Sequence, residues 1–388
     1  MQRSPSHTGA YNNLGMISFG LGDYQKATIY FEKSIEINPN SAHVHNSLGV
    51  LSIEEGKIQK AKNCHERAIE LEPNYADAHC NLGLVFKELG DSQKAKSCYE
   101  KTIEINPNHL NANGNLGNLL YETGEPQKAI IYYEKAIQIK PGISNLLDGL
   151  LKSLYKINNQ SLLFKKLDSI IRKGEMNAVI GSICSRAEVK YGVKKKNPFC
   201  NNPLDYVSKT DLTKKYDFKN IIVKGVNNIL KNDFISNRTQ KLITNGYQTA
   251  GTLFVNENFD TKEIQRIIHA EIVNYRSKFK NSKEGFLKNW PTNYNLSGWL
   301  VSMKKGGKLS AHMHELGWLS GSIYVNVPQK LKADSGNLVV CIEENVGKKS
   351  IDVFTGSLCL FPSSLLHYTI PFEAEEERIV LAFDVEPN

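Results

Sequence analysis

The stretch Ser310–Val325, "SAHMHELGWLSGSIYV", decides how the second half of this chain is read. His312 and His314 stand one residue apart at the entrance to a run of strand-forming residues. On a strand, side chains at i and i+2 project to the same face. Two imidazoles so placed can approach one point, as a metal clamp requires, or can be hydrogen-bonded polar residues at a strand end. On a helix the same spacing sets two side chains about 200° apart. His43 and His45 repeat the spacing in a segment that reads as helix, and they serve as a control.

Around this stretch the sequence is punctuated by short strand-like runs. "WLVSMKKGG", "LSGSIYVNV", "GNLVVCIEE", "SIDVFTG", "SLCLFPSS" and "RIVLAFDV" follow one another with turn residues between them. This spacing points to a double-sheet barrel or jelly roll. Upstream, "YQTAGTLFV" has β character, and Ile264, Ile267, Ile268, Ile272 and Tyr275 form a helical stripe. His367 lies in "FPSSLLHYTIP", just after a strand, and Arg378 opens the last strand. Trp299 and Trp318 read as packing residues rather than pocket walls. Ser320 and Gly321 read as shaping a turn, and Lys304, Lys305 and Lys308 as a solvated hairpin.

The segments "GWLVSMKKGGKLSAHMHELGWLSGSIYVNVP" and "GSLCLFPSSLLHYTIPF…ERIVLAF" resemble the 2-oxoglutarate- and iron-dependent dioxygenases. "NGYQTAGTLF" fits them less specifically. The likeness runs from about Asn201 to Val385, strongest after Gly298, and the segment more narrowly resembles a bacterial group that includes tetratricopeptide fusions. It implies a double-stranded β-helix. It also implies Fe(II) on His312 and His367, with Arg378 anchoring the far carboxylate of 2-oxoglutarate. Dioxygen would be the second cosubstrate, and succinate and carbon dioxide the by-products of C–H hydroxylation. The chain departs from the superfamily at position 314, where aspartate or glutamate is usual. His314 is preferred as third ligand, with Glu315 the alternative if a bulge turns it inward. Three neutral imidazoles also suit zinc, copper or nickel. Tyr324 and Asn326 are candidates to contact the cosubstrate, with core packing the competing role. For Arg378 the competing role is a salt bridge to Glu377 or a neighbouring acid.

The first half has a different period. Leu14-Gly15, Leu48-Gly49, Leu82-Gly83 and Leu116-Gly117 are 34 residues apart, as are Gly22, Gly56, Gly90 and Gly124. Ala27, Ala61, Ala95 and Ala129 keep the period, as do Pro39, Pro73, Pro107 and Pro141. Four copies of two amphipathic helices follow, with small residues at the helix crossings, glycine ending the first helix and proline ending the second. Phe31, Tyr99 and Tyr133 share one core column, in which His65 replaces the aromatic. Residues 1–141 resemble a tetratricopeptide array, a scaffold whose concave face implies a protein or peptide partner. The fold expected is therefore multidomain α + β. An α-solenoid over 1–141 precedes a helical cap and linker over 142–200 and a double-stranded β-helix (jelly roll) over 201–388.

Composition limits the rest. No apolar run reaches the roughly 18 residues of a membrane helix, and the first residues lack a secretory apolar core. Seven widely spaced cysteines without Cys-x-x-Cys argue against a disulfide framework. A cytoplasmic protein is expected. Residues 1–141 hold 14 Lys+Arg against 16 Asp+Glu, and 186–288 hold 20 against 10. Without aromatic stacking platforms, this basic middle reads as a lysine-rich surface, and nucleic acid is not an expected partner. The leading expectation is an Fe(II)- and 2-oxoglutarate-dependent hydroxylase acting on a protein or peptide recruited by the repeats. Its rivals are a non-catalytic adaptor with a degenerate barrel and a cupin-like metal enzyme that does not use 2-oxoglutarate.

Overall fold

The computed structural model describes residues 5–231, 237–238, 242–249, 251, 253–256 and 259–388. The chain forms two compact units, residues 1–163 and 164–388.

The first unit is the solenoid. Its copies pair α1 (Pro5–Gly20) with α2 (Tyr24–Ile37), α3 (Ala42–Glu54) with α4 (Ile58–Leu71), α5 (Ala76–Glu88) with α6 (Ser92–Ile105), and α7 (Leu110–Glu122) with α8 (Pro126–Ile139). The glycine column and the aromatic column meet. A Cβ at Gly15, Gly49, Gly83 or Gly117 would stand 2.5, 2.5, 2.5 or 3.0 Å from the ring of Phe31, His65, Tyr99 or Tyr133. The first three distances are too short for a carbon contact and the fourth is tight, so glycine is what lets paired helices close. Gly22, Gly56, Gly90 and Gly124 adopt φ of 77°, 71°, 78° and 87°, the left-handed conformation that stops each first helix. Next, α9 (Ser144–Lys156) caps the array, with Gly149 set against the Tyr133 ring. The division between the units falls within α10 (Gln160–Arg172).

The second unit begins earlier than the 201 expected from sequence. Ala178 of α11 (Ala178–Tyr191) and Phe199 belong to its hydrophobic core, so the segment read as a linker is built into the fold. Then come β1 (Ser208–Asp211), α12 (Lys224–Leu230), β2 (Asn237–Arg238), β3 (Ile243–Thr249), α13 (Lys262–Lys278) and α14 (Gly285–Lys288). The remaining strands are β4 (Tyr294–His312), β5 (Leu319–Asn326), β6 (Leu338–Glu343), β7 (Val346–Ile351), β8 (Ser357–Pro362), β9 (Leu366–Thr369) and β10 (Arg378–Pro387). They order as β1-β8-β5-β10-β4-β9-β6-β7, with β2 and β3 branching from β4. Every pairing is antiparallel, giving the jelly-roll sheet.

Two sequence readings change here. Lys304, Lys305 and Lys308 lie not at a hairpin tip but along the 19-residue strand β4, exposed, where its register with β3 is interrupted between Thr244 and Gly246. The strand expected over 247–255 ends at Thr249, and Ala250 and Thr252 lie outside the described residues.

Strand alternation sorts the sheet's two faces. Leu381, Phe383 and Val385 of β10, with Leu319, Ile323 and Val325 of β5, join Ile264, Ile267, Ile268 and Ile272 of α13 in one core. Each such buried aliphatic side chain contributes roughly 1.5–3 kcal/mol. The intervening residues Arg378, Val380 and Ala382, and Ser322 and Tyr324, face inward and line a cavity.

Candidate metal centre

His312 is the last residue of β4 and sits directly across from His367 of β9. His314 is past the strand end, so strand alternation does not place it. The turn that follows, closed by the Gly317 N–H on the His314 carbonyl at 3.2 Å, carries it back toward the pair. The rings of His312 and His367 are 4.3 Å apart, those of His314 and His367 4.7 Å, and those of His312 and His314 5.2 Å. One nitrogen from each lies within 4.8 Å of the others, a spacing that can hold one ion. Glu315 is exposed in the turn and outside this cluster.

Hydrogen bonding fixes which nitrogens face one another. His312 Nδ1 is 2.9 Å from the Ser310 carbonyl, which can only accept, so Nδ1 carries the hydrogen. His314 Nδ1 is 2.7 Å from the carboxylate Oδ1 of Asp384. The two Nε2 atoms are therefore turned toward each other, 3.3 Å apart. Lone pairs this close repel unless a cation lies between them, and a metal ion satisfies all three rings at once. Burial, with His314 adding to it, pushes His312 down to about 4. Burial first, and then the two neighbouring rings, holds His367 well below the usual histidine range. Neutral imidazole is the form that binds a metal.

The cavity beside the cluster holds about 200 Å³ and is lined by all three histidines, Tyr324, Thr369 and Arg378 among others. This is small beside the ~300–1,000 Å³ of sites for drug-sized ligands. Arg378 is 2% exposed. Its Nη2 donates to the Gly336 carbonyl at 3.2 Å, and its guanidinium lies 5.0 Å from the Tyr324 ring centroid. Burial lowers its pKa, yet a guanidinium keeps its charge in proteins. Among the described residues no carboxylate pairs with it, and its Nε has no acceptor. The alternative ion pair with Glu377 does not form, for that side chain accepts from Ser302 Oγ instead. A buried cation without a counter-ion is costly, and it suits an anionic ligand.

Other expectations divide. Tyr324 lines the cavity and also packs in the core beside it. Asn326 does neither: a register shift at Ile379/Val380 takes it out of alternation with Tyr324, and its side chain donates to the Glu377 carbonyl at 2.6 Å. Trp318 is a packing residue, with Nε1 on the Phe286 carbonyl at 2.7 Å. Trp299, read as packing, lines the cavity with its ring edge-on to His314 at 5.1 Å. Ser320, read as a turn residue, lies in β5 and donates from Oγ to Asp384 Oδ1 at 2.7 Å. Asp384 itself was missed. The available signal was its place six residues beyond Arg378, with only apolar residues between them, an even spacing that turns both to the same face.

Comparison with known proteins accords with both halves. Residues 297–384 match a family described as "Putative 2OG-Fe(II) oxygenase". Tetratricopeptide families match residues 9–41, 30–63, 53–90 and 76–141. No curated protein matches the chain. Among solved structures, Pseudomonas aeruginosa pilF is 21% identical, covering 48% of this chain and 85% of its own, with a TM-score of 0.44. A MamA protein is 22% identical, covering 50% and 100%, with a TM-score of 0.39. A tetratricopeptide repeat protein from Parabacteroides merdae is 17% identical, covering 48% and 72%, with a TM-score of 0.38. Scores this low add nothing to the fold already described. By its family matches, this chain joins a tetratricopeptide array over residues 9–141 to a domain, over residues 297–384, that matches the family described as "Putative 2OG-Fe(II) oxygenase".

Proposed function

We propose that the second unit is an Fe(II)- and 2-oxoglutarate-dependent hydroxylase and that the repeats present it with a protein or peptide. The observation that carries the reading is the pairing of two features in one cavity: three convergent imidazoles and a buried guanidinium without a carboxylate partner among the described residues. His312, His314 and His367 would hold the iron, leaving positions open for cosubstrates. Iron with 2-oxoglutarate and dioxygen supplies the oxidation that turns a C–H bond into C–OH, with release of succinate and carbon dioxide.

The chain's own contribution is placement. Arg378 offers planar N–H donors to the far carboxylate of the diacid, which a guanidinium can meet through two parallel bonds. The Tyr324 ring holds that guanidinium from one side. Thr369, Val301, Met303 and Leu338 complete a largely apolar wall that limits water beside the reacting atoms. Repeats of this type commonly hold polypeptide, which favours a side chain of a bound protein as the substrate.

Anaerobic addition of Fe(II) and then 2-oxoglutarate tests the cofactor assignment. The expected result is a weak visible charge-transfer band that requires both additions. Metal binding without that band indicates a metal enzyme that does not use 2-oxoglutarate, and no metal binding indicates an adaptor. For the substrate, partners captured by the full-length protein would be examined for a mass gain of one oxygen.

A further inference from the structure

Position 314 sets an electrostatic problem. Three neutral imidazoles bring no negative charge to a divalent ion, whereas a ligating aspartate would bring one. The nearest carboxylate on the inner face is Asp384, 3% exposed on β10. Its Oδ1 is 2.7 Å from His314 Nδ1 and accepts from Ser320 Oγ at 2.7 Å; Ser320 Oγ is in turn 2.8 Å from Ser363 Oγ. Among the described residues no lysine or arginine pairs with this carboxylate, and the His314 ring is its nitrogen partner. Gly317 leaves room for the arrangement: a Cβ there would lie 2.6 Å from Ser363 Oγ and 3.2 Å from the Asp384 carboxyl carbon. A buried carboxylate costs several kcal/mol unless it is paired. Burying one behind a candidate metal-binding ring is explained if the ring passes its charge to an ion.

We infer that Asp384 is a positioning residue for the metal: it holds the His314 hydrogen on Nδ1, aims Nε2 at the ion, and supplies from one residue further out the negative charge that position 314 lacks. The inference rests on the metal site proposed above. Metal-bound histidines commonly donate their second N–H to a carboxylate, which fixes the tautomer and raises the basicity of the ligating nitrogen. Asp384 meets that description through a single side chain, with the two serines fixing its orientation.

The test is calorimetric titration of the metal-free full-length protein with Co(II), with apo-protein melting measured alongside. Asp384→Asn keeps the shape and removes the charge, and is expected to weaken binding by about 10–100-fold. The discriminating measurement is the same substitution in a His314→Asp background, where a carboxylate stands at the ligand position itself. There Asp384→Asn is expected to leave affinity unchanged or raise it, because a second buried carboxylate is no longer needed. An equal loss in both backgrounds overturns the inference, since a purely structural role would act alike in each. Unchanged affinity in Asp384→Asn alone also overturns it. If Asp384→Asn does not fold, Ser320→Ala reads the same coupling, with a smaller loss expected that vanishes beside His314→Asp; persistence of that loss overturns the inference. Failure of the unaltered protein to bind Co(II) overturns the metal site itself, and with it this inference.

Discussion

His43 and His45 occur at the same spacing as His312 and His314, in the other half of the molecule. On helix α3 their rings part: His43 Nδ1 reaches the Tyr75 hydroxyl at 2.9 Å, and His45 Nε2 reaches the Pro39 carbonyl at 2.9 Å. Past the end of β4 a turn carries His314 back beside His312, and the neighbouring strand β9 brings in the third ring, His367. A second contrast lies in the buried single histidines. His65 replaces an aromatic in the repeat core, and its Nδ1 meets Asn46 Oδ1 at 3.0 Å. His367 is as deeply placed but has two other imidazoles beside it. Residue type and spacing are thus shared between the halves. Backbone geometry decides whether a histidine fills space or can bind.

The comparison is broken most severely by His367→Ala. It should reduce Co(II) affinity by more than the ~10–100-fold typical of losing an outer-shell partner, measured by calorimetry on folded protein. Retained affinity would remove the difference between the two His-x-His pairs. Next in size is Arg378→Gln, expected to weaken 2-oxoglutarate binding about 100-fold while metal affinity holds, because losing one partner of a buried charged contact costs ~2–5 kcal/mol. A parallel loss of metal binding would show that Arg378 supports the fold rather than a ligand.

His65 sharpens the contrast through pH. Burial lowers it to about 4 from an ordinary 6.5. The unfolded chain then takes up a proton that the folded chain refuses. The associated stability is complete above pH ~6.5 and is lost as pH falls toward 4, reaching about 2 kcal/mol by pH 5. His65→Phe, which restores the aromatic column, should remove this part of the acid sensitivity of unit 1 in denaturant melts at pH 7 and pH 5. The smallest expected effect is that of His45→Ala, which should leave Co(II) affinity unchanged.

Much of the fold was legible because its rules are local. A 34-residue period records the stacking of helix pairs, and the glycine column opposite an aromatic column records their contact. The short strands of the second half were visible from turn punctuation, and the helical stripe of α13 from its isoleucines. His312, His367 and Arg378 stood out as polar residues at strand ends, with the family resemblance supplying the roles expected of them. What was not legible depends on register. The bulge that removes Asn326 from the inner face has no marker in the sequence. Trp299 and Trp318 are the same residue type, one within β4 and the other just before β5, yet one lines the cavity and the other meets the Phe286 carbonyl. The early start of the second unit was hidden because α11 reads as a helix whether it caps a solenoid or packs on a barrel.

The sequence by itself determined a 34-residue period in the first half and short, turn-punctuated strand runs in the second, and hence a solenoid followed by a sheet. Both signals express local backbone preference, which is set within a few residues. Only tertiary structure decided that His314 turns back beyond its strand, that Asp384 stands behind it, and that Arg378 is buried without a carboxylate partner among the described residues. Such facts join residues tens of positions apart, and they depend on strand register and the path of a turn, which no local pattern records.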